Sequence, residues 1–101
     1  MYKLIVYVPR SHLNKVLDAV FAAGAGKMGS YSDCAFICEG TGTFRPLKGS
    51  KPFKGKTGKL TKVRETRIET AVQGSKLKKV IAAMKKNHPY EVPAYDVLKL
   101  Y

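Results

Sequence analysis

Residues 34–59 read CAFICEGTGTFRPLKGSKPFKGKTGK. The stretch opens at Cys34 as an apolar, strand-forming run and breaks at Gly40-Thr41-Gly42-Thr43. It continues as a basic loop punctuated by Pro46, Gly49, Pro52, Gly55 and Gly58. Threonine suits a strand, and glycine inside one marks a bulge or a close approach of backbone. From Leu60 to Gln73 a second run alternates. Leu60, Ile68 and Val72 fall on one face with Lys62, Arg64, Thr66 and Thr70, while Glu65, Arg67 and Glu69 fall on the other with Val63 and Ala71. Opposite charges on one face suggest cross-strand or intersubunit pairing. The two runs form a long hairpin. Its connection of about 15 residues, after Phe44, is long for a compact domain and marks a functional or mobile arm.

The flanks of the hairpin carry one strand and one helix each. Tyr2, Leu4, Val6 and Val8 alternate with Lys3, Ile5 and Tyr7, so both faces of the first strand are apolar. Pro9 ends it, and Ser11 is placed to cap a helix over residues 12–23. Leu13, Val16, Leu17, Val20 and Phe21 give that helix one apolar stripe, and Gly24 stands where a C-terminal glycine belongs. Gly24 to Gly29 does not match a phosphate-binding loop or a dinucleotide fingerprint, because it follows a helix; its glycines serve a tight turn. After the hairpin, Gly74-Ser75 turns and caps a second helix with the stripe Leu77, Val80, Ile81 and Met84. Pro89 and Pro93 force an extended path into a last strand, 94–101. The order is β-α-β-β-α-β. Right-handed crossovers then give an α+β, ferredoxin-like domain over residues 1–101: a four-stranded antiparallel sheet with both helices on one face. The second face is too apolar to stay wet, so sister copies are expected to cover it, with the basic arm projecting outward.

The net charge is +12, and it is unevenly spread. Residues 45–67 hold nine basic side chains against Glu65, a net +8. Such a segment attracts anions such as nucleotide phosphate, nucleic acid or an acidic protein partner, or it simply keeps the chain soluble. Cys34 and Cys38 would lie roughly 13 Å apart along a strand, beyond the about 7 Å a disulfide allows. Free thiols fit a reducing cytoplasm. No run of about 20 apolar residues would span a membrane. The start lacks a secretory signal pattern.

The segments GAGKMGSYSDCAFICEGTGTFRPLKGSKPFKGKTGKL, VRETRIET and HPYEVPAYDV together resemble the inserted domain of the Nif-three-like (Ngg-interacting-factor-three) family. The resemblance runs from Tyr2 to Leu100. It implies a free-standing copy of that insert, without the larger metal-binding domain that it interrupts in many relatives. Neither that domain's metal site nor its hydrolase-like activity carries over. The resemblance also implies a fold similar to the PII signalling proteins and the CutA divalent-cation-tolerance proteins. Both of those families are trimers, and in PII nucleotides lie between subunits while the long loop meets partners. One departure stands out. Val92 occupies the second acidic position of the family's His-Pro-Tyr-Glu-Glu element, which removes an oxygen ligand.

Two sites are the candidates. Gly40, Thr41, Gly42 and Thr43, with Arg45 and Lys48, could cradle an anion, or the glycines could simply let the hairpin twist. His88 and Glu91, three apart in an extended segment, could share a divalent metal ion, or His88 could cap the second helix while Glu91 meets a cation. Cys34 and Cys38 read as small core hydrophobes. Tyr31, Tyr90 and Tyr95 read as packing groups with hydroxyls at an interface. No Ser-His-Asp or Cys-His set and no metal triad appears, so no catalysis is expected. The expected function is an oligomeric regulatory or ligand-binding module, a trimer, taking an anion, nucleotide or divalent metal at subunit boundaries. The alternative is a nucleic-acid-binding module using residues 45–67. No RNA-recognition motif accompanies those cations.

Overall fold

The computed structural model describes the whole chain, Met1–Tyr101. Strands β1 (Tyr2–Pro9), β2 (Phe36–Phe44), β3 (Thr61–Val72) and β4 (Tyr95–Lys99) alternate with helices α1 (Leu13–Ala22) and α2 (Leu77–Asn87) in the order β1-α1-β2-β3-α2-β4. The sheet order is β2-β3-β1-β4, and every neighbouring pair is antiparallel. This is the ferredoxin-like arrangement that the alternation of apolar residues predicts.

The register sorts side chains by face. Leu4, Val6 and Val8 of β1 join Ile68 and Val72 of β3 in the core under Val16, Val20, Val80 and Met84 of the helices. The core contains no residue of β2. Cys38 pairs with Arg67 on the face of the sheet opposite the helices, so it is exposed rather than packed. Cys34 precedes β2 altogether and is half-buried. Its backbone serves as a clamp: its N–H donates to the Gly26 carbonyl at 2.9 Å, and its own carbonyl accepts from the Thr70 hydroxyl at 2.8 Å.

Both helices are entered through a single 3-10 turn, Arg10–His12 and Gly74–Lys76, with no side-chain cap. The expected cap at Ser11 does not form. Its hydroxyl lies 2.9 Å from the His12 ring Nδ1 instead, because Ser11 falls inside the 3-10 turn rather than before the helix. Ser75 likewise lies inside its turn. The end of α1 follows expectation. Ala25 N–H donates to the Val20 carbonyl at 2.9 Å and Gly24 N–H to the Phe21 carbonyl at 3.0 Å, a Schellman ending with Gly24 at φ +119°.

The hairpin outruns the rest of the sheet. Pro9, the last residue of β1, faces Glu65, so Thr61–Arg64 and their β2 partners continue as a two-stranded ribbon. The molecule is 47 Å long and about half as wide, and its radius of gyration is 14.3 Å, against about 13 Å for a compact chain of this length. The arm beyond the ribbon does not stand free. It folds back, and the Lys51 N–H donates to Glu91 Oε2 at 2.7 Å.

Candidate functional site

Three segments meet at one end of the sheet: the arm 45–60, the 3-10 turn after β1, and the extended segment 88–94 between α2 and β4. Pro89 and Pro93 keep that last segment from continuing α2. The Ala94 carbonyl ties it to β1 by accepting from Tyr7 N–H at 3.1 Å. Between the arm and this segment lies a cleft of about 280 Å³, walled by Phe44, Pro52, Phe53 and Tyr90, with the carboxylates of Glu65 and Glu91 at its border. Tyr90 is its centre. Its ring meets those of Phe44 at 6.1 Å, Phe53 at 6.2 Å and His88 at 5.0 Å between centroids. Phe53 in turn meets the edge of His12 at 5.3 Å. The aromatic contacts and the Glu91 bond hold the basic segment against residues 88–94.

His88 is buried, and both of its ring nitrogens are engaged. Tyr90 N–H donates to Nδ1 at 3.1 Å, so Nδ1 carries no proton, and Nε2–H donates to the Tyr7 carbonyl at 2.7 Å. Burial holds this imidazole below its ordinary pKa, against the opposing pull of the Tyr7 carbonyl. Glu91 accepts the Lys51 amide. As they stand, His88 and Glu91 offer a metal one carboxylate and no free ring nitrogen, so the pair does not fit the divalent ion proposed for it. No group of three or more His, Cys, Asp or Glu side chains converges anywhere in the chain.

The glycine-threonine run is a regular part of strand β2. Gly40 and Gly42 alternate with Thr41 and Thr43, so the threonine side chains leave the opposite face of β2. Arg45 turns back to the Gly58 carbonyl at 3.3 Å, and Lys48 is exposed in the arm. Gly42 has a specific reason to lack a side chain. A Cβ there would fall on the Glu65 carboxylate, with Cδ at 2.5 Å. Glu65 Oε2 accepts the Tyr90 hydroxyl at 2.8 Å, and burial first, then this bond, pushes the Tyr90 phenol pKa well up. Glu65, the single acid among nine cations, is therefore the polar anchor of the cleft. Its isolation in sequence is the signal that could have found it.

Gly42→Ala is expected to push the Glu65 carboxylate off Tyr90. The expected cost is about 1.5–3 kcal/mol, the range for a hydrogen bond to a charged group. Gly40→Ala, where a Cβ would meet nothing within 4 Å, should stay within about 0.5 kcal/mol. Thermal unfolding of the two variants checks the contrast. A phenol titration should show Tyr90 returning toward its ordinary value of 10.0 in Gly42→Ala only.

The comparisons with known proteins agree with this geometry. The fold class is that of the PII-like CutA proteins. A PII-like CutA from Nostoc superposes with a TM-score of 0.70 over 99% of this chain and 81% of its own, at 14% identity. At that identity the likeness speaks for the fold alone. The sequence relatives are closer. Proteins named GTP cyclohydrolase 1 type 2 homolog are 52% identical over 100 residues in Halalkalibacterium halodurans and 53% over 95 residues in Bacillus subtilis, covering 99% and 94% of this chain. A Bacillus cereus protein related to NIF3 superposes with a TM-score of 0.84 at 47% identity, over 98% of this chain and 25% of its own. The chain is similar to one domain of these Nif-three-like proteins. It spans about a quarter of the length of the curated relatives it matches, 27% and 26% for the first two. No family model matches it. No helix is long and apolar enough to cross a membrane.

Proposed function

We propose that the chain works as an oligomeric ligand-binding module, a trimer with its open sheet face covered by sister copies and its arm holding a small ligand at a subunit boundary. The observation that carries this reading is the uncovered face of the sheet. Phe36 and Leu98 stand there 66% and 50% exposed, on the side no helix covers and on its two edge strands, with Cys38 beside Phe36 and with half-buried Tyr7 and the charged side chains of Lys3, Arg67 and Glu69 between them. Exposed apolar side chains interleaved with a charged ladder suit an interface between copies that meets both, and a stable interface needs about 800 Å² per partner. Assembly would also set the arm and cleft of one copy beside its neighbour.

The cleft favours a ligand with a flat ring, because Phe44, Phe53 and Tyr90 converge on it and its two carboxylates can accept ring N–H groups. The cations of the arm favour a ligand that is also anionic. A nucleotide combines the two. We assign the domain no reaction, since the name carried by its relatives belongs to proteins of which this chain covers about a quarter.

Size-exclusion chromatography with light scattering is expected to give three times the 11.2 kDa of the chain. Phe36→Glu should release monomer with unchanged circular dichroism, because Phe36 takes no part in the core. A wild-type chain that stays monomeric at high concentration would reject the assembly.

A further inference from the structure

We propose that Arg10, Arg64 and Thr66 form a phosphate-binding site on the helix side of the sheet, next to the aromatic cleft, that takes the di- or triphosphate group of a small molecule. The register places the parts. Thr66 faces Glu39 across the β2–β3 pair and Thr41 faces Arg64, so these four side chains share the helix side of the ribbon. Arg10 reaches the same place from the turn after β1. Together with Gly40 and Glu65 they wall a recess of about 150 Å³ that has no apolar lining residue.

Three observations point to an anion there. Thr66 is fully buried, it walls the recess, and its Oγ1 has no hydrogen-bond partner. A buried hydroxyl is ordinarily satisfied, so an orphan beside a polar recess marks a missing acceptor or donor. Arg64 takes part in none of the three ion pairs of the chain, and Arg10 is held only by Glu39, at 3.3 Å with both groups largely exposed. A guanidinium that is free or weakly held presents its donor fork to phosphate oxygens. The recess then opens into a groove that shares Arg10 and Arg64 and adds Lys54, Lys62, Ser11 and Thr61, with no acidic residue. A first phosphate fits the recess, and a second and third would run along the lysines. Glu65 adds a second carboxylate to the wall, and Glu39 is the group that competes for Arg10. It must leave Arg10 when the ligand arrives, which makes it a brake on affinity.

The inference deepens the anion-binding part of the functional reading and rests on it for the phosphate-bearing ligand, but it requires no assembly. It moves the anion from Arg45 and Lys48 to Arg10 and Arg64 while keeping Gly40 and Thr41 in the wall.

Isothermal titration of the whole chain with inorganic tripolyphosphate at low salt is the test, with inorganic phosphate as a weaker comparison. One equivalent is expected to bind. Arg10→Gln and Arg64→Gln should each weaken it about tenfold or more, since each removes a charge-assisted contact. Lys56→Gln, in the arm, should change it by less than about twofold, as expected for a distant, screened charge. Glu39→Gln should tighten binding. Thr66→Val is the discriminating variant: it should weaken binding several-fold while the melting temperature holds or rises, because it deletes a hydroxyl that is unsatisfied without ligand. The proposal is overturned if both arginine variants bind like wild type. It is equally overturned if Lys56→Gln loses as much as they do, or if a single-stranded oligonucleotide binds more tightly than tripolyphosphate with its affinity spread evenly over the lysines. Light scattering on the same samples separates the two readings. Tripolyphosphate held by a monomer rejects the trimer alone, and a trimer that does not bind it rejects this site alone.

Discussion

Replacing Gly26 by alanine is expected to cost about 2–5 kcal/mol, a large part of the roughly 5–15 kcal/mol that holds a small domain folded. Gly26 stands at φ +78° and closes a clamp between β3 and the segment before β2. Its N–H donates to the Ala71 carbonyl at 2.8 Å, and its carbonyl accepts from Cys34 N–H at 2.9 Å. A Cβ would come within 2.9 Å of both the N and the O of Cys34 and 3.0 Å of the Phe21 ring. The left-handed backbone costs a non-glycine residue about 1–2 kcal/mol. Overpacking against backbone adds about 1–3 kcal/mol, because neither Cys34 atom can swing aside. Gly29 supplies the control. It stands at φ +55° with nothing within 4 Å of a Cβ, so Gly29→Ala should show the conformational cost alone. For a domain of this size each kcal/mol moves the melting temperature by roughly 4–8 °C, so thermal scans of the two variants separate the terms. Equal losses in both would mean that the clamp does not hold Cys34 against Gly26.

The same residue shows where sequence reading reached and where it stopped. The glycines of residues 24–29 read as a tight turn, which is a local property. That Gly26 is pressed between Cys34 and Phe21 depends on contacts between distant segments, and no periodicity reports those. The stripes Leu13-Val16-Leu17-Val20 and Leu77-Val80-Ile81-Met84 and the alternation of β1 were legible because burial on one face imposes a period. The topology then followed from handed crossovers. Cys34 and Cys38 read as core because their neighbours are apolar. Yet β2 is an edge strand on which Cys38 pairs with Arg67 on the face no helix covers, and Cys34 precedes the strand. Which strand lies at the edge is a property of the sheet order, not of the strand.

The candidate site was legible as a region and not as a set of residues. The arm, the glycine-threonine run and His88-Pro89-Tyr90-Glu91 all stood out, and all lie at one end of the sheet. Their partners did not stand out. Glu65 reaches Gly42 diagonally across the β2–β3 pair, and Tyr90 reaches Glu65 from 25 residues away. Both contacts follow from a register that a one-residue slip would have reversed. Arg10 and Arg64 were hidden for another reason. In a chain with 19 basic residues, no single arginine is distinctive until its lack of a strong partner can be seen.

His88 should make the protein less stable in mild acid. Its ring is neutral in the fold, with Nδ1 accepting from Tyr90 and Nε2–H donating to Tyr7. Burial depresses its pKa below 6.5, the nearby charge of His12 adds to that, and the Tyr7 carbonyl and Glu65 oppose it. Above 6.5 the ring is neutral both folded and unfolded, so it contributes no pH dependence. Below 6.5 the unfolded chain takes up a proton that the folded chain resists, and stability falls until the depressed folded pKa is reached. The melting temperature of the wild type should therefore drop between about pH 7 and about pH 5, above the range in which ordinary carboxylates titrate. His88→Gln removes the titrating ring and should flatten that stretch. A wild-type melting temperature that rises on acidification would show that the folded ring carries the charge, and would sink this account. His88→Ala should cost about 2–5 kcal/mol at neutral pH, because it strands the Tyr7 carbonyl and the Tyr90 amide and leaves a cavity. The loss should reach the cleft as well. His88 joins the end of β1 to the segment that carries Tyr90, so a chain that loses this joint also loses the fixed position of the ring that Glu65, Phe44 and Phe53 surround.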